Sequence, residues 1–102
     1  MTTEQRDGRH RIAVLALDHV AGLDLGVPPQ VFGSARDPAG RRHYRVRICT
    51  PTGGPVRSAA GFRVLPDHGL DLLATADTVI VPGIYDGPAL TRGELDPAVA
   101  AA

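Results

Sequence analysis

The chain of 102 residues has no lysine, no tryptophan and a single cysteine, Cys49, and its formal charge sums to zero. One cysteine cannot form an internal disulfide, which fits a reducing compartment. A balanced overall charge leaves no electrostatic footprint for a nucleic acid or a membrane surface. No apolar run approaches the roughly 20 residues needed to span a bilayer. Met1 to Arg11 is polar and lacks the apolar stretch of a secretion signal, so it reads as a flexible leader before a domain over 12–102. These absences together predict a cytoplasmic protein.

Metal and cofactor chemistry is also missing. His10, His19, His43 and His68 do not pair with one another, or with Cys or Glu, at metal-ligand spacing. Gly53-Gly54 precedes a strand rather than a helix, and no G-x-G-x-x-G or P-loop pattern exists. No metal and no cofactor is expected.

What is present reads as an α/β pattern. Ile12 to Leu17 (IAVLAL) is a short continuous apolar run, as suits a strand buried on both faces. Gly22 and Gly26 break the turn after it. Pro28-Pro29 predicts a helix start, which places a helix over about Val27 to Arg36 with Val31 and Phe32 inward. Tyr44 to Cys49 (YRVRIC) alternates, with Tyr44, Val46 and Ile48 on one face and Arg45 and Arg47 on the other, as in an edge strand. Val56 to Ser58 and Phe62 to Leu65 form two short strands around Ala59-Ala60-Gly61, a hairpin pattern. Asp67 is placed to cap a short helix through Leu73. Thr78 to Val81 (TVIV) is a second buried run, ended by Pro82-Gly83. Asp96-Pro97 opens a last helix.

Strands alternating with helices predict a parallel sheet. A parallel strand needs a crossover that returns to the sheet, yet the last helix has no strand to lead into. Two runs that read as interior are hard to cover with three main strands. The expectation is an α/β domain incomplete at its C-terminus or dependent on a partner; the alternative is a compact three-strand miniature.

Gly22 to Phe32 (GLDLGVPPQVF) and Ala76 to Gly83 (ADTVIVPG), in that order, resemble the ThiJ/PfpI superfamily, also called class I glutamine amidotransferase-like. Cys49-Thr50-Pro51, Ser58-Ala59-Ala60-Gly61 and Pro66-Asp67-His68-Gly69-Leu70 are similar to the family too. The resemblance covers about Arg11 to Gly87 and is strongest to the branch that precedes a helix-turn-helix region in AraC-type regulators.

The resemblance implies a flavodoxin-like three-layer sandwich with strand order 2-1-3. A ligand crevice then falls at the carboxyl ends of the first and third main strands. Asp24, His19, Gly83 and Ile84 are the candidate ligand-binding residues. Asp24 matches the family's acidic position, which in enzymatic relatives lies beside a cysteine nucleophile. It is equally readable as a turn or cap residue. The family's nucleophile elbow is absent from these residues, and Cys49, ending an edge strand, reads as a small buried hydrophobe. No catalytic residue is therefore assigned, and the chain is not expected to be an enzyme.

The implied function is a ligand-sensing, regulatory N-terminal domain of an AraC-type transcription regulator. It would bind a small molecule, form a homodimer in the full-length relative, and reach DNA only through a region absent here. The alternative is a fragment of a cysteine-dependent hydrolase or hydratase.

Overall fold

A computed structural model describes residues 8–85, 92–93 and 95–102. Residues 1–7 of the expected leader lie outside them. Strand β1 spans His10–Leu15, β2 Tyr44–Cys49 and β5 Thr78–Ile80. They form one parallel sheet in the order β2-β1-β5. Helix α1 spans Gly22–Ser34. Strands β3 (Val56–Arg57) and β4 (Arg63–Val64) make the expected antiparallel hairpin. A 3-10 helix spans Leu70–Thr75, and helix α2 spans Pro97–Ala101. Asp96 caps α2 by accepting the Ala98 amide at 2.8 Å, as its position before proline predicts.

The central strand explains the layers. Successive side chains of a strand point to opposite faces. Ile12, Val14 and Ala16 enter one core with Val20 and Leu25, and Phe32, Val46 and Ile80 pack against it. Ala13 and Leu15 enter a second core with Cys49 and Leu72, closed by Leu70, Leu73 and Val99. Helix α1 thus covers one face, and the 3-10 helix and α2 cover the other. Each fully buried Val or Leu contributes about 1.5–3 kcal/mol, so β1 anchors both cores.

Three expectations change. Helix α1 begins at Gly22, not near Val27, and ends at Ser34 rather than Arg36. Phe32 packs inward as expected, but Val31, expected inward, is 58% exposed, because the earlier start turns it to the outer face. Pro28 and Pro29 lie inside the helix. Proline there removes the amides that would bond the carbonyls of Asp24 and Leu25. The burial of Leu25 and Pro28 against the sheet holds the helix through that loss. Asp67 is not a cap: the 3-10 helix starts after Gly69 with no side-chain cap. His68 instead continues the sheet edge, its carbonyl accepting the Thr50 amide at 3.2 Å.

The third change concerns β5. It lies beside β1 as expected, but Thr78 and Val79 are exposed, and Val79 and Val81 keep 44% and 54% of their surface accessible. Among the described residues β5 is bonded on one side only. Apolar composition marks a strand suited to burial; only a second neighbour would cover it. Strand β2 is the opposite edge, as its alternation predicts.

Candidate functional site

In a parallel sheet with helices on both faces, ligands bind beyond the carboxyl ends of the strands, where the crossovers diverge. Strands β1 and β5 are neighbours whose flanking helical segments lie on opposite faces. The segments leaving them, 16–24 and 81–85, are joined by main-chain hydrogen bonds. The Ala21 amide donates to the Gly83 carbonyl at 2.8 Å, and the Tyr85 amide to the His19 carbonyl at 3.1 Å. Val20 and Ile84 form an antiparallel bridge.

Asp24 stands in the first turn of α1 and is exposed. A carboxylate there is favoured by the helix dipole. Its Oδ2 lies 2.9 Å from where a Cβ on Gly83 would be. Any side chain at position 83 would displace the carboxylate, so the glycine makes room for it. Asp24, Gly83, Ile84 and His19 are thereby gathered at one end of the sheet.

His19 has φ 66°, the left-handed region that a non-glycine residue occupies at a cost of about 1–3 kcal/mol. Two contacts hold it there: its amide donates to the Arg57 carbonyl at 2.7 Å, and its carbonyl accepts from Tyr85. Its Nε2 lies 3.5 Å from an Arg57 nitrogen.

Sequence reasoning missed the pair that fixes this loop. Asp18 accepts the Arg57 amide at 2.8 Å, Nε at 3.4 Å and a terminal guanidinium nitrogen at 2.8 Å. The Arg57 side-chain hydrogen bonds hold the Asp18 carboxyl at about 2, below its ordinary 3.8, against partial burial that works the other way. The Ala59 amide adds a bond to the Val20 carbonyl at 2.8 Å. Residues 18–20 are therefore a junction, with the hairpin on one side and 83–85 on the other. Asp18 and Arg57 are 39 residues apart, and no local pattern links them.

Cys49 is placed away from this chemistry. It is fully buried in the second core, and burial, with the Asp71 carboxylate adding to it, pushes its thiol up. Such a thiol is a packing group rather than a nucleophile.

No protein-family model matches the chain. An uncharacterized protein of the cpoL 5′ region of Streptomyces lividans is 37% identical over 95 residues, 93% of this chain and 64% of that protein. The crystal structure of a DJ-1 superfamily protein from Agrobacterium tumefaciens superposes with a TM-score of 0.57 and 28% identity, over 85% of this chain and 43% of that one. The chain has a DJ-1-type, flavodoxin-like fold. An AraC family transcriptional regulator from Pseudomonas putida shares this DJ-1-type fold, with a TM-score of 0.62 and 19% identity, over 81% of this chain and 54% of that one. The chain therefore spans between 43% and 64% of the lengths of these proteins. The ThiJ/PfpI resemblance read from residues 22–32 and 76–83 agrees with both structural neighbours.

Proposed function

We propose that the chain is the ligand-sensing, regulatory domain of an AraC-type transcription regulator, whose DNA contacts come from a region outside it. The observation that carries this reading is the gathering of Asp24, His19, Gly83 and Ile84 at the carboxyl ends of β1 and β5. Asp24 stands over a glycine in a segment bonded to the β1 loop, in a fold shared with an AraC family regulator. An exposed carboxylate accepts hydrogen bonds from a small ligand carrying N–H or O–H groups. The strained His19 turn and its two main-chain contacts give a ligand there a route to the hairpin.

The test is a thermal-shift screen of amines, amino acids and sugars against the chain, with Asp24→Asn in parallel. At least one class is expected to raise the unfolding midpoint of the native chain. Asp24→Asn should keep its own midpoint and lose that shift. A hit that shifts both proteins equally, or no hit at all, would remove the sensing role.

The same reading includes a homodimer. Leu23, Val27 and Val31 fall four apart on the outer face of α1 and are 81%, 47% and 58% exposed. Asp24 is the one charged residue in this thirteen-residue helix. An uncharged stripe can meet its own copy about a two-fold axis without opposing like charges. Light scattering is expected to give a concentration-dependent dimer that Val27→Lys converts to monomer. A native chain that stays monomeric at high concentration would exclude this face.

A second reading, a fragment of a DJ-1-type cysteine-dependent hydrolase, is supported by the same Asp24 position and by the Agrobacterium neighbour. Cys49 would not serve it, being fully buried.

A further inference from the structure

The zero net charge hides a local excess at the other end of the sheet. The candidate ligand residues lie at the carboxyl ends of the strands; the connection from α1 to β2, residues 35–43, lies at their amino ends. Within it Arg36 and Arg42 form an antiparallel bridge, which sets two arginines directly opposite each other. Like charges directly opposite across a strand pair are destabilising. Asp37 closes the loop between them, accepting the Arg41 amide at 2.9 Å and its Nε at 3.3 Å.

Two open clefts meet at Arg42. One, of about 590 Å³, is lined by Gly8, Arg9, Asp37, Arg41, Arg42 and His43. The other, of about 430 Å³, brings in Arg36 with Gln30 and Ser34. Among the described residues, four arginines and one aspartate therefore line a continuous surface in a chain that is neutral overall.

Among the described residues, two features oppose an anion here. The C-terminal end of α1 carries a partial negative charge of about half a unit, and Asp37 adds a full one. Arg42 answers the first by donating to the Gly33 carbonyl at 2.9 Å. Arg41 answers the second through an exposed ion pair, a weak one in water, with 80% of its side chain accessible. The charges of Arg36, Arg41 and Arg42 outnumber these, and planar guanidinium forks match the paired oxygens of a phosphate.

We propose that this basic end of the molecule binds a phosphate-bearing anion across Arg36, Arg41 and Arg42. The site is at the opposite end of the strands from Asp24 and does not depend on the sensing role proposed above. Phosphate could come from a free polyphosphate-like anion or from a nucleic-acid backbone.

The 102-residue chain is titrated in two arms, with inorganic tripolyphosphate by calorimetry and with random-sequence duplex DNA by fluorescence anisotropy. Each is run at low salt and at about 200 mM salt. Binding in at least one arm is expected, weakened about tenfold or more by the added salt and by the double variant Arg36→Gln, Arg41→Gln. Asp37→Asn keeps the acceptor for the Arg41 amide but removes the negative charge, and is expected to tighten binding. Arg63→Gln, on β4 and outside both clefts, should leave it unchanged.

Binding of tripolyphosphate identifies a free anion as sufficient; binding of DNA alone identifies the polymer backbone. No binding in either arm overturns the proposal. So does binding that Arg36→Gln, Arg41→Gln leaves intact, or that Asp37→Asn does not strengthen. Thermal unfolding of each variant confirms that it remains folded, as expected for Arg36, Arg41 and Arg63, whose side chains are exposed, and for Asp37→Asn, which keeps its acceptor.

Discussion

Gly22→Val is expected to lower the midpoint of thermal unfolding by roughly 5–20 °C, because it drives a side chain into the seat of the hairpin. Gly22 is the first residue of α1, and a Cβ there would lie 2.9 Å from the Ala60 Cβ and 2.9 Å from Phe62 Cζ. Phe62 is half-exposed and can swing away. Ala60 cannot: its Cβ moves only with the backbone, in a turn tied down by Ser58. The Ser58 Oγ accepts the Ala60 amide at 3.1 Å, and the Ser58 amide donates to the Phe62 carbonyl at 2.8 Å. The helix start and the hairpin must therefore separate, at a cost of about 1–3 kcal/mol for overpacking. Amide exchange at Ser58 and Ala59 should accelerate in the variant. Gly26→Ala, in the same helix with nothing near its Cβ position, should instead stabilise by about 0.5–1 kcal/mol. Equal midpoints for Gly22→Val and the native chain would show that the hairpin is not seated on α1.

Leu25→Ala is expected to cost about 2–5 kcal/mol, from a total stability of about 5–15 kcal/mol for a domain of ordinary size. Leu25 is 6% exposed and shares a core with Ile12, Val14, Ala16 and Val20. The variant loses the transfer free energy of the deleted carbons and leaves a void beside the central strand. Leu25 also carries much of the holding force on a helix whose two internal prolines remove main-chain bonds. Its loss should therefore loosen the turn that presents Asp24. Urea denaturation should show a lower midpoint at unchanged slope. Leu65→Ala, with 76% of the residue accessible and outside the dimer face, changes stability by less than about 0.5 kcal/mol and serves as the control. If the two substitutions had equal effects, α1 would not be packed through Leu25.

Strands β1 and β2 were legible because their patterns follow directly from their environments, whereas the apolar run of β5 did not report its exposure. YRVRIC alternates, and the structure puts Tyr44, Val46 and Ile48 against the α1 core. IAVLAL is apolar throughout, and β1 is buried on both faces. The hairpin around 59–61 and the Asp96 cap were readable from turn and capping chemistry alone. The start of α1 was misread because a proline pair is usually a first-turn feature. Here its cost is met by burial of Leu25 and Pro28, which no local pattern reports.

The candidate site divides the same way. Asp24 and Gly83 stood out through their motifs, and the closeness of their chain segments followed from two strands being neighbours. The Asp18–Arg57 pair and the left-handed turn at His19 did not, because they arise from a contact between the β1 loop and a hairpin far along the chain. The opposed arginines at 36 and 42 were invisible for a related reason: a charge count sums over the chain, whereas repulsion depends on distance.

By itself, then, the sequence determined which segments become strands and helices and which residues seek the interior, since those properties depend on side chains a few positions apart. Only the tertiary structure decided where α1 begins, that Thr78 and Val79 face outward, and which charges meet. Those outcomes depend on whether a distant segment arrives to cover, pair or oppose a residue, and proximity in space is not encoded by spacing along the chain.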